Sequence, residues 1–126
     1  MLKAYLNKDI KIIKVSGEDA KVYLNNIITN NVEQINTKTS IYSCLLTPQG
    51  KFLADFFITN FEDGYFLLVH SKFLEDLIKG LNFYKLRSKI NIEDISHLYK
   101  YCFIPNPEIE TIFETSILNL GHTIIN

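Results

Sequence analysis

The chain has 126 residues, enough for one domain that buries a hydrophobic core without metal ions or disulfide bonds. Hydrophobic residues make up 47% of it and charged residues 21%, a balance that excludes an intrinsically disordered protein. The net charge is −1 and there is no basic cluster, so we expect no nucleic-acid partner, because such binding depends on lysines and arginines that neutralise phosphates.

Cysteine content and hydrophobic segments bear on where the protein works. Cys44 and Cys102 lack the spacing of a zinc site and are too few for a disulfide framework, so we expect reduced thiols. The first nine residues lack the apolar segment of a signal peptide, and no run approaches the ~20 apolar residues of a membrane span. We therefore expect a cytoplasmic protein without a membrane partner.

The first half of the chain predicts a strand, a helix and the start of a hairpin. Residues 10–15 alternate lysine with isoleucine or valine, as a half-buried strand does. Ser16 is the predicted N-cap of a helix over residues 18–28, in which apolar residues recur at helical spacing. Residues 40–46 form the next predicted strand, and the turn Pro48-Gln49-Gly50 folds the chain back on it.

The second half continues the hairpin and adds one helix. The predicted elements are a strand to residue 61, an apolar strand over residues 65–70 covered on both faces, a helix over 72–81 capped by Ser71, and strands over 89–94 and 98–104. The tail, residues 105–126, shows only a turn and one more short strand. This order predicts a single α+β domain over residues 1–126, with two helices on one face of a mainly antiparallel sheet.

Asp55 is the unusual residue of the hairpin, because it lies between Leu53 and Phe56 in a strongly apolar strand. Simple alternation could turn this carboxylate to water, or it could belong to a site, and the pattern leaves both open. Sequence motifs of serine hydrolases, zinc proteases and nucleotide-binding enzymes are absent, so no catalytic residue is assigned. The scattered histidines are more readily structural or solvent-facing than metal ligands; they are His70, His97 and His122.

Several segments together resemble the N-terminal half of YgfZ-type folate-binding proteins, which are relatives of aminomethyltransferase, the glycine-cleavage T protein. The matching segments are Val15-Ser16-Gly17-Glu18-Asp19-Ala20, Tyr23-Leu24-Asn25, Thr29-Asn30-Asn31-Val32, Leu45-Leu46-Thr47-Pro48-Gln49-Gly50-Lys51, Leu53-Ala54-Asp55 and Phe83-Tyr84-Lys85-Leu86-Arg87-Ser88-Lys89-Ile90-Asn91-Ile92. They occur in the same order as in the family over residues 10–95. This shared order is more specific evidence than any single segment.

The resemblance implies a fold of several lobes around a folate cavity, with this chain as the first lobe. It implies that Asp55 contacts the pterin of tetrahydrofolate and that Tyr42 lines the same cavity. His70 falls near an asparagine of the cavity wall. The implied cofactor is tetrahydrofolate, and the implied partners are iron–sulfur enzymes, including those that modify tRNA.

Departures from the family pattern separate three hypotheses. Gly50-Lys51 and Ala54-Asp55 replace the Gly-Gly and paired aspartates of aminomethyltransferases and favour the YgfZ-type branch, although Asn31 stands where an aspartate is common. The branch's Lys-Gly-Cys-Tyr/Phe-x-Gly-Gln-Glu signature is absent, so we expect a truncated form without complete catalytic apparatus. The first hypothesis is a folate-binding protein that assists iron–sulfur protein maturation and tRNA modification. The alternatives are a tetrahydrofolate-dependent aminomethyltransferase and a non-binding remnant or interaction module.

A lobe that normally packs against others would expose an apolar patch. From this we expect self-association of the chain or pairing with a separately encoded second half.

Overall fold

A computed structural model describes residues 5–35, 40–103, 117–119 and 123–125 of the chain. In chain order the elements are β1 (Tyr5–Leu6), β2 (Ile10–Ser16), α1 (Ala20–Ile27), a short 3-10 helix (Val32–Gln34), β3 (Ile41–Leu46), β4 (Phe52–Phe61), β5 (Gly64–His70), α2 (Ser71–Lys85), β6 (Asn91–Asp94), β7 (Lys100–Phe103), β8 (Ile117–Asn119) and β9 (Thr123–Ile125).

The main sheet has five strands in the order β3-β4-β5-β2-β6, and every neighbouring pair is antiparallel. Both helices pack on one face of it, where Leu24 of α1 and Leu77 of α2 share a core with Phe56 of the sheet. The Tyr23 hydroxyl donates to the carbonyl oxygen of Leu81 at 2.5 Å and so joins the two helices directly. The predicted α+β fold, with two helices on a mainly antiparallel sheet, is confirmed.

Strand β5 is buried from both sides, as its unbroken apolar sequence predicts. Leu67 and Val69 face the helices, whereas Phe66 and Leu68 belong to a second core on the opposite face. The chain after β6 supplies the cover there through Ile95, with Tyr99 and Tyr101 packed against the same cluster. The face opposite the helices is therefore covered over its centre by residues 95–101.

A second, smaller sheet has the order β1-β7-β9-β8. The fifth predicted strand, β7, pairs with β1 and β9 in this sheet and not with the main one. The tail was expected to hold one short strand, but its described residues form two, β8 and β9. The other predicted feature of the tail, its turn, lies outside the described residues.

Both helices begin differently from the sequence expectation. Ser16 is still the last residue of β2, and α1 begins after Asp19. Helix α2 is capped by His70, whose Nδ1 accepts from the Lys72 N–H at 3.1 Å, so Ser71 is the first helical residue and not the cap. Neither helix in the described ranges has the length and apolar composition that a bilayer crossing requires.

The outer edge of β3 is bordered by the segment that follows α1. The Thr29 N–H donates to the Cys44 carbonyl oxygen at 3.1 Å, and the Cys44 N–H donates to the Thr29 hydroxyl at 3.0 Å. The Asn30 side-chain amide donates to the Tyr42 carbonyl oxygen at 3.0 Å. Three backbone groups of β3, the Tyr42 carbonyl and the carbonyl and N–H of Cys44, are thus hydrogen-bonded to this segment of the same chain.

Candidate functional site

The three residues singled out by the resemblance, Tyr42, Asp55 and His70, lie on three adjacent strands of the main sheet. Within the hairpin, Tyr42 lies opposite Phe57 and Cys44 lies opposite Asp55. Ala54, Phe56 and Ile58 of β4 are buried against the helices. Strand alternation therefore directs Asp55 and its cross-strand neighbours to the opposite face.

Tyr42 and Asp55 are joined by a short hydrogen bond. The Tyr42 hydroxyl donates to Oδ2 of Asp55 at 2.5 Å, across the diagonal of the β3–β4 ladder. Because this hydroxyl donates to a carboxylate, with burial and the charge of Asp55 acting in the same direction, the pKa of Tyr42 is raised to about 12. The hydroxyl therefore keeps its proton, and its donor role, throughout the neutral range.

The Asp55 carboxylate retains unused hydrogen-bonding capacity. Its side chain is half-buried, and within the described ranges its one side-chain hydrogen bond is the bond from Tyr42. An ionised carboxylate has about four acceptor positions on two oxygens. Asp55 is therefore held in one orientation through Oδ2 while Oδ1 stays available to an N–H donor.

The β4–β5 ladder ends with Phe56 paired to Val69, and Asp55 and His70 are the next residues of the two strands beyond that pair. Strand alternation directs both of their side chains to the face opposite the helices. Because Nδ1 of His70 accepts from the Lys72 N–H, the neutral ring carries its proton on Nε2. The ring thus caps α2 with one nitrogen and has a donor on the other.

Two residues of this face, Phe57 and Cys44, were not predicted from the sequence as site residues. The Phe57 ring lies 5.3 Å from the Tyr42 ring, centroid to centroid, with 54° between the ring planes, and it also packs against the second core. Cys44 is a free, half-buried thiol directly opposite Asp55. The register set by the hairpin turn was the signal that could have identified both, because it pairs residue 44 with 55 and residue 42 with 57.

The site has the features of a surface for a flat polar heterocycle. It has the partly exposed ring of Tyr42, an oriented carboxylate and an imidazole N–H on one side of the sheet, and these groups suit hydrogen bonding and ring stacking. Among the described residues, no three side chains of His, Cys, Asp or Glu lie close enough together to hold a metal ion.

Known proteins resemble this chain in sequence and in fold. The family model described as the GCVT N-terminal domain matches residues 8–115. The protein named iron-sulfur cluster assembly factor IBA57 homolog, mitochondrial, of Pyricularia oryzae is 36% identical over 89 residues, which are 68% of this chain and 23% of that protein. The protein of the same name from Mycosarcoma maydis is 31% identical over 101 residues, which are 70% of this chain and 25% of that protein. The chain thus spans about a quarter of the length of these relatives.

A solved structure supports the fold. The crystal structure of glycine cleavage system aminomethyltransferase T from Bartonella henselae superposes with a TM-score of 0.67 at 17% identity, over 75% of this chain and 27% of that one. The match confirms the fold expected from the resemblance, a mainly antiparallel sheet with two helices that corresponds to part of the aminomethyltransferase. Together with the family match over residues 8–115, it leads to one conclusion: the chain belongs to the GCVT N-terminal domain family.

Proposed function

We propose that this chain binds tetrahydrofolate through Tyr42, Asp55 and His70 and that it serves the maturation of iron–sulfur proteins. The observation that carries the proposal is the 2.5 Å hydrogen bond from the Tyr42 hydroxyl to Asp55, which orients a half-buried carboxylate and leaves one oxygen available. Pre-orientation of this kind lowers the entropy lost when a ligand binds.

The chemistry of a pterin matches these groups. Its exocyclic amino group and ring N–H are neighbouring donors, and a carboxylate can accept from both. The ring of Tyr42 offers apolar surface to the flat heterocycle, and the Nε2–H of His70 can donate to one of its acceptors. Asp55 is thus proposed to select the ligand, and the Tyr42 ring adds contact area.

The iron–sulfur part of the proposal comes from the relatives. The two relatives described above, from Pyricularia oryzae and Mycosarcoma maydis, are named for iron–sulfur cluster assembly, and they share about a third of their aligned residues with this chain. We propose the same process for this chain, with iron–sulfur enzymes as partners, among them those that modify tRNA. Those relatives are named as mitochondrial, and the cytoplasmic location expected for this chain stays a prediction.

Calorimetric titration with tetrahydrofolate tests the ligand. The wild-type chain is expected to bind, whereas Asp55→Asn is expected to bind about tenfold or more weakly, because one acceptor becomes an amide donor. Asp76→Asn is the matched control, since it removes the same charge from an exposed position on α2. Equal tetrahydrofolate affinity of the two variants would show that Asp55 does not contact the ligand.

The same titration separates the alternatives. Absence of heat with the wild-type chain would support the non-binding interaction module and overturn the folate proposal. If tetrahydrofolate binds, incubation with an aminomethyl donor tests the aminomethyltransferase alternative. Formation of a one-carbon adduct of tetrahydrofolate would establish that activity, and unchanged tetrahydrofolate would leave the chain as a binding protein.

A further inference from the structure

The backbone of Tyr42 turns its hydrogen-bonding groups away from β4. In an antiparallel ladder, opposed residues alternate between pairs that exchange two backbone hydrogen bonds and pairs that exchange none. The Tyr42 carbonyl oxygen accepts from the Asn30 side-chain amide beyond the outer edge of β3, so Tyr42 and Phe57 are a pair of the second kind. Strand β4 therefore holds this backbone through the flanking pairs, which contain Ile41 and Ser43.

Asn30 holds the outward side of Tyr42. Its Nδ2 donates to the Tyr42 carbonyl oxygen at 3.0 Å, and its Oδ1 accepts from the Asn31 N–H at 2.8 Å. Because the oxygen and the nitrogen of the amide are both engaged, the side chain is held in one orientation. Its donor therefore points at β3 whether or not a ligand is present.

The segment that carries Asn30 is anchored to α1 and to the core. The Val32 N–H donates to the side-chain oxygen of Asn25 on α1 at 2.8 Å, and the Val32 side chain is buried in the core under the helices. The side chain of Asn31 accepts from the Glu33 N–H at 2.9 Å and so caps the 3-10 helix. Asn30 thus reaches β3 from a support that is tied to the rest of the fold.

The position of the Tyr42 backbone determines where its hydroxyl lies. The hydroxyl is at the far end of the side chain, so a small rotation of the edge strand moves it further than it moves the backbone. The bond to Oδ2 of Asp55 is short, at 2.5 Å, and a hydrogen bond weakens as it lengthens and bends. The bond therefore depends on a fixed backbone at Tyr42.

We propose that Asn30 is a positioning residue, which fixes the backbone of Tyr42 and thereby keeps the Tyr42 hydroxyl on Asp55. Its effect on a ligand rests on the proposed function, in which Asp55 accepts from the pterin. Its effect on Tyr42 does not, because the hydrogen bonds that carry it lie within the chain.

Two measurements on Asn30→Ala test the proposal. NMR titration of ring-labelled tyrosine is expected to show the pKa of Tyr42 falling from about 12 toward the ordinary value of ~10, because the hydroxyl is no longer held on Asp55. Calorimetry is expected to show a dissociation constant for tetrahydrofolate about threefold or more higher. Asn82→Ala is the matched control: it removes a bond of the same kind, from a side-chain amide to the Ile78 carbonyl oxygen at 3.0 Å on α2, and should change neither quantity.

A second substitution shows whether Asn30 acts through the Tyr42 hydroxyl. Tyr42→Phe removes the hydroxyl and is expected to weaken tetrahydrofolate binding, because Asp55 loses its fixed orientation. In that background Asn30→Ala is expected to cause no further loss of affinity. A further loss as large as the one in the wild-type background would overturn the proposal, since Asn30 would then act by another route.

The tyrosine titration separates this inference from the identity of the ligand. If the wild-type chain does not bind tetrahydrofolate, the proposed function fails, and the pKa of Tyr42 in Asn30→Ala still decides whether Asn30 positions this residue. Identical Tyr42 titration curves in the wild type and in Asn30→Ala would overturn the proposal. Should Asn30→Ala fail to fold by circular dichroism, Asn30→Ser replaces it, because the serine side chain is polar but one bond shorter.

Discussion

At the scale of single residues, the strongest coupling in the candidate site is between Tyr42 and Asp55. Both residues could be named from the resemblance alone, but their hydrogen bond could not. The bond depends on the hairpin register, which sets Tyr42 diagonally across from Asp55, and on the rotamer of a tyrosine that is 45% exposed. Periodicity predicts the face of a strand and leaves side-chain torsions open.

The coupling predicts a change in the titration of Tyr42. In the wild type its pKa lies at about 12, because the neutral hydroxyl donates to Asp55. In Asp55→Asn the carboxylate is gone, so the pKa should fall toward the ordinary value of ~10. NMR of ring-labelled tyrosine up to pH 11 measures this, with Asp76→Asn as the control. Identical titration curves in the two variants would contradict the assignment.

The sign of the shift determines its effect on stability. A pKa raised in the folded state means that the folded chain holds the proton more firmly than the unfolded chain does. The contribution of this raised pKa to the free energy of unfolding is fully present below pH ~10 and is lost as the pH rises through about 12. The Tyr42–Asp55 bond therefore stabilises the fold in the neutral range, and this stabilisation is lost in strong alkali as Tyr42 ionises.

His70 has a structural task that the sequence did not disclose. Serine is a common cap and stands next in the chain, which is why Ser71 was expected in that role. The strand continues to His70, however, and its ring reaches the Lys72 N–H. A ligand role for His70 is still a prediction, and it must be separated from this cap.

Two substitutions make the separation. His70→Ala should lower the free energy of unfolding by about 1 kcal/mol, since the cap is lost, whereas His70→Asn should retain most of it because asparagine is a good cap. Urea denaturation measures both. If tetrahydrofolate affinity falls in both variants while stability falls only in the first, the imidazole itself contacts the ligand. Equal stability of the two variants would show that the cap contributes little.

At the scale of elements, α2 shows why the end of a helix is hard to predict. Gly80 suggested an end near residue 81, because glycine often follows a last helical turn. In the structure α2 continues to Lys85, and a Cβ atom at Gly80 would lie 2.7 Å from Cδ2 of Leu45. The glycine allows the helix to approach the sheet closely, which is a tertiary requirement that the local sequence does not express.

The turn at Gly17, between β2 and α1, predicts a large loss of stability on substitution. Its φ is +117°, and an added Cβ would lie 2.4 Å from the Lys89 carbonyl oxygen. Gly17→Ala should therefore cost about 3 kcal/mol or more, since backbone strain and a clash with backbone combine. Gly50 in the hairpin turn has φ +83° and open space around it, so Gly50→Ala should cost only about 1 kcal/mol. Chemical denaturation compares them, and equal losses would contradict the role of the contact.

At the scale of the whole molecule, the hairpin-connected strands of the main sheet could be predicted, whereas the place of β2 between β5 and β6 and the small sheet could not. The strands β3, β4 and β5 follow one another through short turns, so alternation and turn residues were sufficient. By contrast, β1 has two residues, and its partner β7 lies almost a hundred residues further along the chain. Pairings of that kind leave no local pattern.

The surface near the end of α2 predicts self-association. The side chains of Phe83 and Leu86 are 63% and 87% exposed, and the two residues are three positions apart in the sequence. We expect sedimentation velocity to show concentration-dependent association that Phe83→Ser/Leu86→Ser reduces, because burial of this surface would favour assembly. Val22→Ser, at a position 64% exposed on α1, is the control. A monomer at all concentrations would contradict the expectation, and a separately encoded second half would then be the partner to seek.

The hydrogen bonds along the outer edge of β3 have a consequence for solubility. An open sheet edge is a template on which further strands can be added, and such addition leads to fibrils. Thr29 and Asn30 hydrogen-bond three groups that an incoming strand would need, so they oppose strand addition along the part of the edge that holds Tyr42 and Cys44. Substitution of these two side chains would release the Cys44 N–H and the Tyr42 carbonyl, and with them part of a safeguard against amyloid-like growth.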